Sequence, residues 1–218
     1  ITWDSDSNLI DFTTGKVTHT EENVTVTLIA TISLNGKSVQ KEFFVTIEAA
    51  DNKEYETVAS LDLEDALPAN SWGNSETKTG YAEGTVELGN PKHKWILRNA
   101  LIAATSGDKY NGTFSIRAQV RDAASETARI EILEAGEYNV VEFAACIYGN
   151  DVLGTKVRIE YTLDDGATWV VSDNIITLNN TTLETFRVKL PEGVKRVAIV
   201  LVEGSGRRVN FDDIKLMK

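Results

Sequence analysis

The sequence predicts an all-β protein, and three observations carry that expectation. Apolar and polar residues alternate with period two in residues 24–30, 41–47, 113–120 and 157–163, the pattern of strands with one buried face. Turn signals separate the runs: Asn35-Gly36, Ala135-Gly136, Gly149-Asn150-Asp151, Asp165-Gly166 and Glu192-Gly193. Helical periodicity is nowhere sustained beyond about two turns. Many short strands joined by tight turns make a sandwich or a barrel, not a parallel sheet.

Taken in order, residues 1–50 form a first strand set that ends at Val45-Thr46-Ile47. Residues 51–57 are polar and strand-poor and read as a linker. Residues 58–218 form a second set, closing on Arg207-Arg208-Val209-Asn210-Phe211-Asp212-Asp213-Ile214. The chain opens on Ile1 without a start Met or signal peptide, so it reads as a segment of a longer protein. No apolar run approaches the roughly 20 residues of a membrane span; Val197-Ala198-Ile199-Val200-Leu201-Val202 is strand-sized.

Composition removes several function classes. A net charge of −11 over 218 residues argues against a nucleic-acid backbone as main partner. The single Cys146 lies in an apolar strand and reads as a buried, inert thiol. His19 and His93 are the only histidines and fall in different strand sets, which removes a Ser-His-Asp triad, a Cys-His dyad and a His-rich metal site. Only an all-carboxylate mechanism remains open. Asp212 and Asp213, adjacent in a strand, point to opposite faces and cannot share a cleft without a bulge. Asp164-Asp165-Gly166 reads as a hairpin turn. The expectation is a protein without catalytic activity.

Ile1-Thr2-Trp3-Asp4, Gly15-Lys16-Val17-Thr18, residues 24–32 and Asn35-Gly36-Lys37 with residues 41–47 resemble the C-terminal part of a bacterial immunoglobulin-like repeat. That resemblance implies a spacer or adhesive bead of a secreted or surface protein of Gram-positive type. It also implies a half-sandwich with an open edge, with Trp3 under its sheet. The second set resembles a jelly-roll, carbohydrate-binding-type module, galactose-binding-like in fold. The resemblance rests on Leu61-Asp62-Leu63-Glu64, Gly107-Asp108-Lys109-Tyr110-Asn111-Gly112, Glu137-Tyr138-Asn139-Val140, Asp164-Asp165-Gly166-Ala167-Thr168-Trp169 and Val209-Asn210-Phe211-Asp212-Asp213-Ile214. Modules of this kind trail behind secreted glycosidases, nucleases and surface proteins.

A jelly roll brings its first and last strands together. Carboxylates meeting there repel unless a cation lies between them, and Ca²⁺ accepts six to eight oxygens in flexible geometry. The expected ligands of a structural calcium ion are Glu64, Asp108, Asn111, Asp212 and Asp213, completed by carbonyls near Gly112. The alternative is that these acids cap loops and face water.

Alternation also projects a surface. If the strands of residues 114–121, 140–148 and 156–163 are neighbours, one face carries Arg117, Gln119, Glu142, Tyr148, Arg158 and Glu160. Fork donors, carboxylates and an aromatic ring suit sugar hydroxyls, and the same residues equally make a solvated face of cross-strand ion pairs. Trp72, in Asn70-Ser71-Trp72-Gly73-Asn74, is a second candidate for ring stacking. Trp95 is expected in the core, and Trp169 packed across its hairpin. The sequence therefore points to an accessory module that binds a polysaccharide and serves catalytic domains of the same parent chain. Two rival readings remain: an accessory domain of a secreted nuclease, if Arg117, Arg121, Arg158, Arg207 and Arg208 converge, and a spacer or adhesive module without a small ligand.

Overall fold

A computed structural model describes residues 1–49, 54–61, 63–64, 81–120, 127–202 and 206–218. It divides into two compact units, Ile1–Glu54 and Tyr55–Lys218. None of the described residues is helical, so none belongs to a membrane-crossing helix.

The first unit is an antiparallel sheet of β1 (Thr2–Ser5), β2 (Val24–Leu34) and β3 (Lys37–Ile47), in that spatial order. Asn35 and Gly36 both take positive φ, 50° and 76°, which gives the tight turn that matches strand twist. Register puts Trp3 beside Ala30, Leu28 beside Phe43, and Val26 beside Val45 on one face. The other face carries Thr25, Thr27, Thr31 and Thr46. Trp3 is not the buried core residue expected: it stays 48% exposed, its ring 5.8 Å from that of Phe43. The outer edge of β3 has no partner strand among the described residues.

The second unit comprises β4 (Thr57–Leu61), β5 (Ala82–Leu88), β6 (His93–Ala103), β7 (Ser115–Gln119), β8 (Ala128–Ile132), β9 (Val140–Ile147), β10 (Thr155–Thr162), β11 (Val170–Leu178), β12 (Glu184–Lys189), β13 (Arg196–Leu201) and β14 (Arg208–Met217). Every pairing is antiparallel. One layer runs β5-β6-β8-β13-β10-β11; the other places β7, and further along β4, beside β14, followed by β9 and β12. Strand β6 joins the layers: residues 95–98 pair with β8 and residues 100–103 with β7. The turn between them falls at Asn99, at φ 47°. The result is a jelly-roll β-sandwich whose first and last strands lie side by side, Leu61 opposite Ile214. Glu56 already exchanges backbone hydrogen bonds with Lys218, so the strand-poor segment gives way to the sandwich before residue 58.

The core between the layers is filled by residues that alternation assigns inward: Ile116 and Ala118 on β7, Phe143, Ala145 and Ile147 on β9, Val157 and Ile159 on β10, and Phe211 on β14. Trp95 is buried as expected; Leu163, placed inward by pattern, lies past the end of β10 and is 53% exposed. Phe143 sits at the centre, its ring 5.8 Å from both Phe186 and Phe211. Phe143→Ala should therefore destabilise the second unit by about 3–5 kcal/mol, measured by urea unfolding of the full chain. A loss under about 1 kcal/mol would mean that this ring is not a packing centre.

Candidate functional site

Strand β14 shapes the site through a bulge. Its first half pairs Asp212 with Ala144 of β9, and its second half pairs Lys215 with Glu142, so one extra residue is inserted between them. Asp213 absorbs it at φ 47°. This overturns the expectation that Asp212 and Asp213 point apart, because both carboxylates reach the same residue of the β6–β7 loop. The Asn111 N–H donates to Asp212 Oδ2 at 2.8 Å, and Asn111 Nδ2 donates to Asp213 Oδ2 at 2.6 Å. Two residues on, Thr113 donates its N–H and Oγ1 to the Glu64 carboxylate at 3.0 and 3.1 Å. Gly112, at φ 81°, lies so close that a Cβ there would overlap the same carboxylate.

One loop thus laces together Glu64, Asp212 and Asp213. Asp212 is only 2% exposed. Burial, and then the charges of Asp213 and Glu64, outweigh its amide donors and push its carboxyl up to about 7. As they lie here, no three Asp, Glu, His or Cys side chains among the described residues stand in metal-coordinating positions.

Asp108 does not join this trio. Its Oδ2 accepts the Thr105 N–H (2.8 Å), Thr105 Oγ1 (2.7 Å) and Arg117 Nη1 (3.3 Å), and its Oδ1 accepts Asn210 Nδ2 (2.9 Å). Asn210, fully buried, also donates to Ser115 Oγ and accepts the Lys109 N–H. Asp108 and Asn210 therefore pin the first half of the loop over β14, and Asp108 orients Arg117. The predicted calcium set splits accordingly.

Beside Asp108 lies a cluster of rings and guanidinium groups. The Arg117 and Arg208 guanidinium carbons stand 4.8 and 4.1 Å from the centre of the Tyr148 ring, and Arg117 is also 5.9 Å from that of Tyr81. Arg208 forks onto Asp151, with Nε to Oδ2 at 2.9 Å and Nη2 to Oδ1 at 2.7 Å, which holds the Asp151 carboxyl below its usual range. Gln119 donates to the Gly206 carbonyl. Burial raises the Tyr81 hydroxyl. Tyr148 lies against Gly107, where a Cβ would overlap the ring.

Of the predicted face, Arg117, Gln119 and Tyr148 come together here. Glu142 shares their layer but lies six residues from Tyr148, about 20 Å along β9, and is held by Arg187 and Lys215 at 3.1 and 3.2 Å. Arg158 and Glu160 lie on the other layer, because β10 neighbours β11 and β13 rather than β7 or β9. There Arg129, Arg158 and Arg196 interlock with Glu131 and Glu160. Trp169 covers the network, 4.2 Å from the Arg129 guanidinium carbon. That face is the cross-strand ion-pair surface. Trp72 and Arg121 fall outside the described residues. Cys146 is fully buried, and burial pushes its thiol up to about 11.

Asp151 is the member that sequence reasoning missed, and Arg208 was weighed there only as part of a nuclease surface. Arg208 meets Asp151 across 57 residues, and no local pattern announces such a pair. A depression of about 770 Å³, lined by His93, Glu134, Glu137, Tyr138 and Lys195, opens where β9 begins, whereas Tyr148 follows the other end of that strand. It contains none of the predicted residues, and its Glu134 is bound to the Lys94 amide.

Residues 1–50 match the family model of the atrophied bacterial Ig domain. No curated protein matches the chain in sequence. Among solved structures, the K2 cleaved adhesin domain of Lys-gingipain is 14% identical, covering 63% of this chain and all of that one, at a TM-score of 0.48. A family 29 carbohydrate-binding module is 9% identical over 76% of this chain and 90% of its own, at 0.46. A family 61 module in complex with β-1,4-galactotriose is 15% identical over 56% and 86%, at 0.37. At these identities and scores the ligands of those proteins are theirs alone.

Proposed function

We propose that this chain is a non-catalytic carbohydrate-binding module. In this reading it acts outside the cell and holds catalytic domains of its parent protein near a polysaccharide. The observation that carries it is the convergence of Arg117, Gln119, Tyr148 and Arg208, with Tyr81, at one end of the β7-β14-β9 layer. Rings offer apolar faces to sugar C–H groups, and guanidinium groups offer directed donors to sugar oxygens. Tethering to a catalytic domain makes even millimolar affinity useful, by raising the local substrate concentration. The nuclease reading is less favoured, since Arg158 lies on the layer opposite Arg117 and Arg208.

We also propose that Glu64, Asp212 and Asp213, with Asn111, hold a structural Ca²⁺. The chemistry of the donors supports it: one loop binds all three carboxylates, and Asp212, raised chiefly by burial and further by the charges of Asp213 and Glu64, is the group a hard cation would hold ionised. The ion would tie β4 and β14 to the β6–β7 loop.

A glycan array run with calcium and with chelator tests the main reading. Binding should fall about tenfold or more in Tyr148→Ala, and Trp72→Ala reports on the second candidate ring. If folded protein binds no glycan in either condition, the spacer reading replaces this one.

A further inference from the structure

We infer that the saccharide bound at the Arg117–Tyr148–Arg208 cluster is anionic, carrying a carboxylate of the uronate kind; the inference rests on the carbohydrate reading above. It follows from a count of unspent donors and acceptors. Sugar hydroxyls donate as readily as they accept, so neutral-sugar sites need open acceptors, commonly carboxylates. Both carboxylates at this cluster are largely engaged already. Asp108 accepts four donors, from Thr105 (twice), Arg117 and Asn210. Asp151 accepts three, all from Arg208. Among the described side chains at the cluster, the acceptor positions left are one on Asp151 Oδ1, Gln119 Oε1 and the two phenol oxygens.

Donors, in contrast, remain. Among the described residues Arg117 donates through Nη1, to Thr105 and Asp108, and its Nε–H is buried without an acceptor. Arg208 commits Nε and Nη2 to Asp151, and its Nη1 has no acceptor among the described residues. A charged donor buried without a partner is costly. The Nε edge of a guanidinium is also the edge that takes a carboxylate in a two-point pair.

Arg117 and Arg208 both stand over the Tyr148 ring, paired with Asp108 and Asp151, whereas the whole chain carries −11. The cluster thus gathers two guanidinium groups at one place on an acidic protein.

The experiment is a titration of the full chain with oligogalacturonate, its methyl ester, neutral β-1,4-galactan, a sulfated glycan and single-stranded DNA, at low and high NaCl. Oligogalacturonate should bind about tenfold or more tighter than its ester, and weaken as salt rises. Arg117→Lys, which keeps the charge and removes the fork, should abolish most of that preference in protein that remains folded. Arg208→Lys serves the same purpose if the first variant fails to fold. Ester or galactan binding as tightly as the free acid overturns this inference and leaves the carbohydrate reading standing. Preference for the sulfated glycan over the uronate overturns the carboxylate assignment alone. Binding to DNA only, or to none of the probes, overturns both.

Discussion

Gly112→Ala is expected to be among the most damaging single-methyl changes in the second unit. At φ 81° any L side chain is strained, at about 1–2 kcal/mol. The new Cβ would also meet the Glu64 carboxylate. Displacing that group breaks its bonds from Thr113 N–H and Oγ1, charge-assisted contacts worth about 1.5–3 kcal/mol each. Together these give a loss of roughly 4–8 kcal/mol, and the calcium-dependent part of the stability should vanish with it. Gly193→Ala is the matched control, having the same φ of 81° and no atom within 4 Å of its Cβ. It should cost only the backbone term. Urea unfolding of both variants, with calcium and with chelator, separates strain from the loss of the clamp. Equal losses in the two variants would show that Glu64 does not depend on this glycine.

How much of this was legible beforehand depended on the range of the signal. Alternation placed Ile116, Phe143 and Ile159 inward because period two is a local property. The meeting of β4 with β14 could be anticipated from Leu61-Asp62-Leu63-Glu64 and the closing Asp-Asp pair, since a jelly roll joins its ends. Strand neighbours are a different matter. The face that combined Arg117 with Arg158 required β7, β9 and β10 to lie together, but β13 and β8 follow β10 in its own layer. Nothing local to residues 155–162 encodes that order. The bulge at Asp213 was equally hidden, because one inserted residue changes which face a carboxylate serves without altering the apolar pattern around it. Asp108 looked like a cation ligand from its glycine-bounded loop. In the fold its oxygens are taken by Thr105 and Arg117 and by Asn210, 102 residues away.

Asp212 makes pH the sharpest probe of the proposed ion. Its folded carboxyl titrates at about 7, against about 3.9 in an unfolded chain. Between those values the folded state holds a proton that the unfolded state has released, so stability must fall as pH rises through this window. In chelator, the second unit should therefore be more stable at pH 5 than at pH 8, by up to a few kcal/mol. That trend is opposite to the one carboxylates in ion pairs produce, such as Asp151, whose carboxyl is depressed by Arg208. Calcium reverses it, because the ion needs Asp212 ionised. Its affinity should drop by about tenfold per pH unit below 7, as one proton competes for the site. Asp212→Asn should remove both effects, giving a flat profile between pH 5 and 8 and no response to calcium. Denaturation of wild type and variant across that range, with and without the ion, reads all of this directly. Wild-type stability that is flat or rising with pH in chelator would mean that Asp212 is already ionised without a cation. The electrostatic case for calcium between β4 and β14 would then be lost.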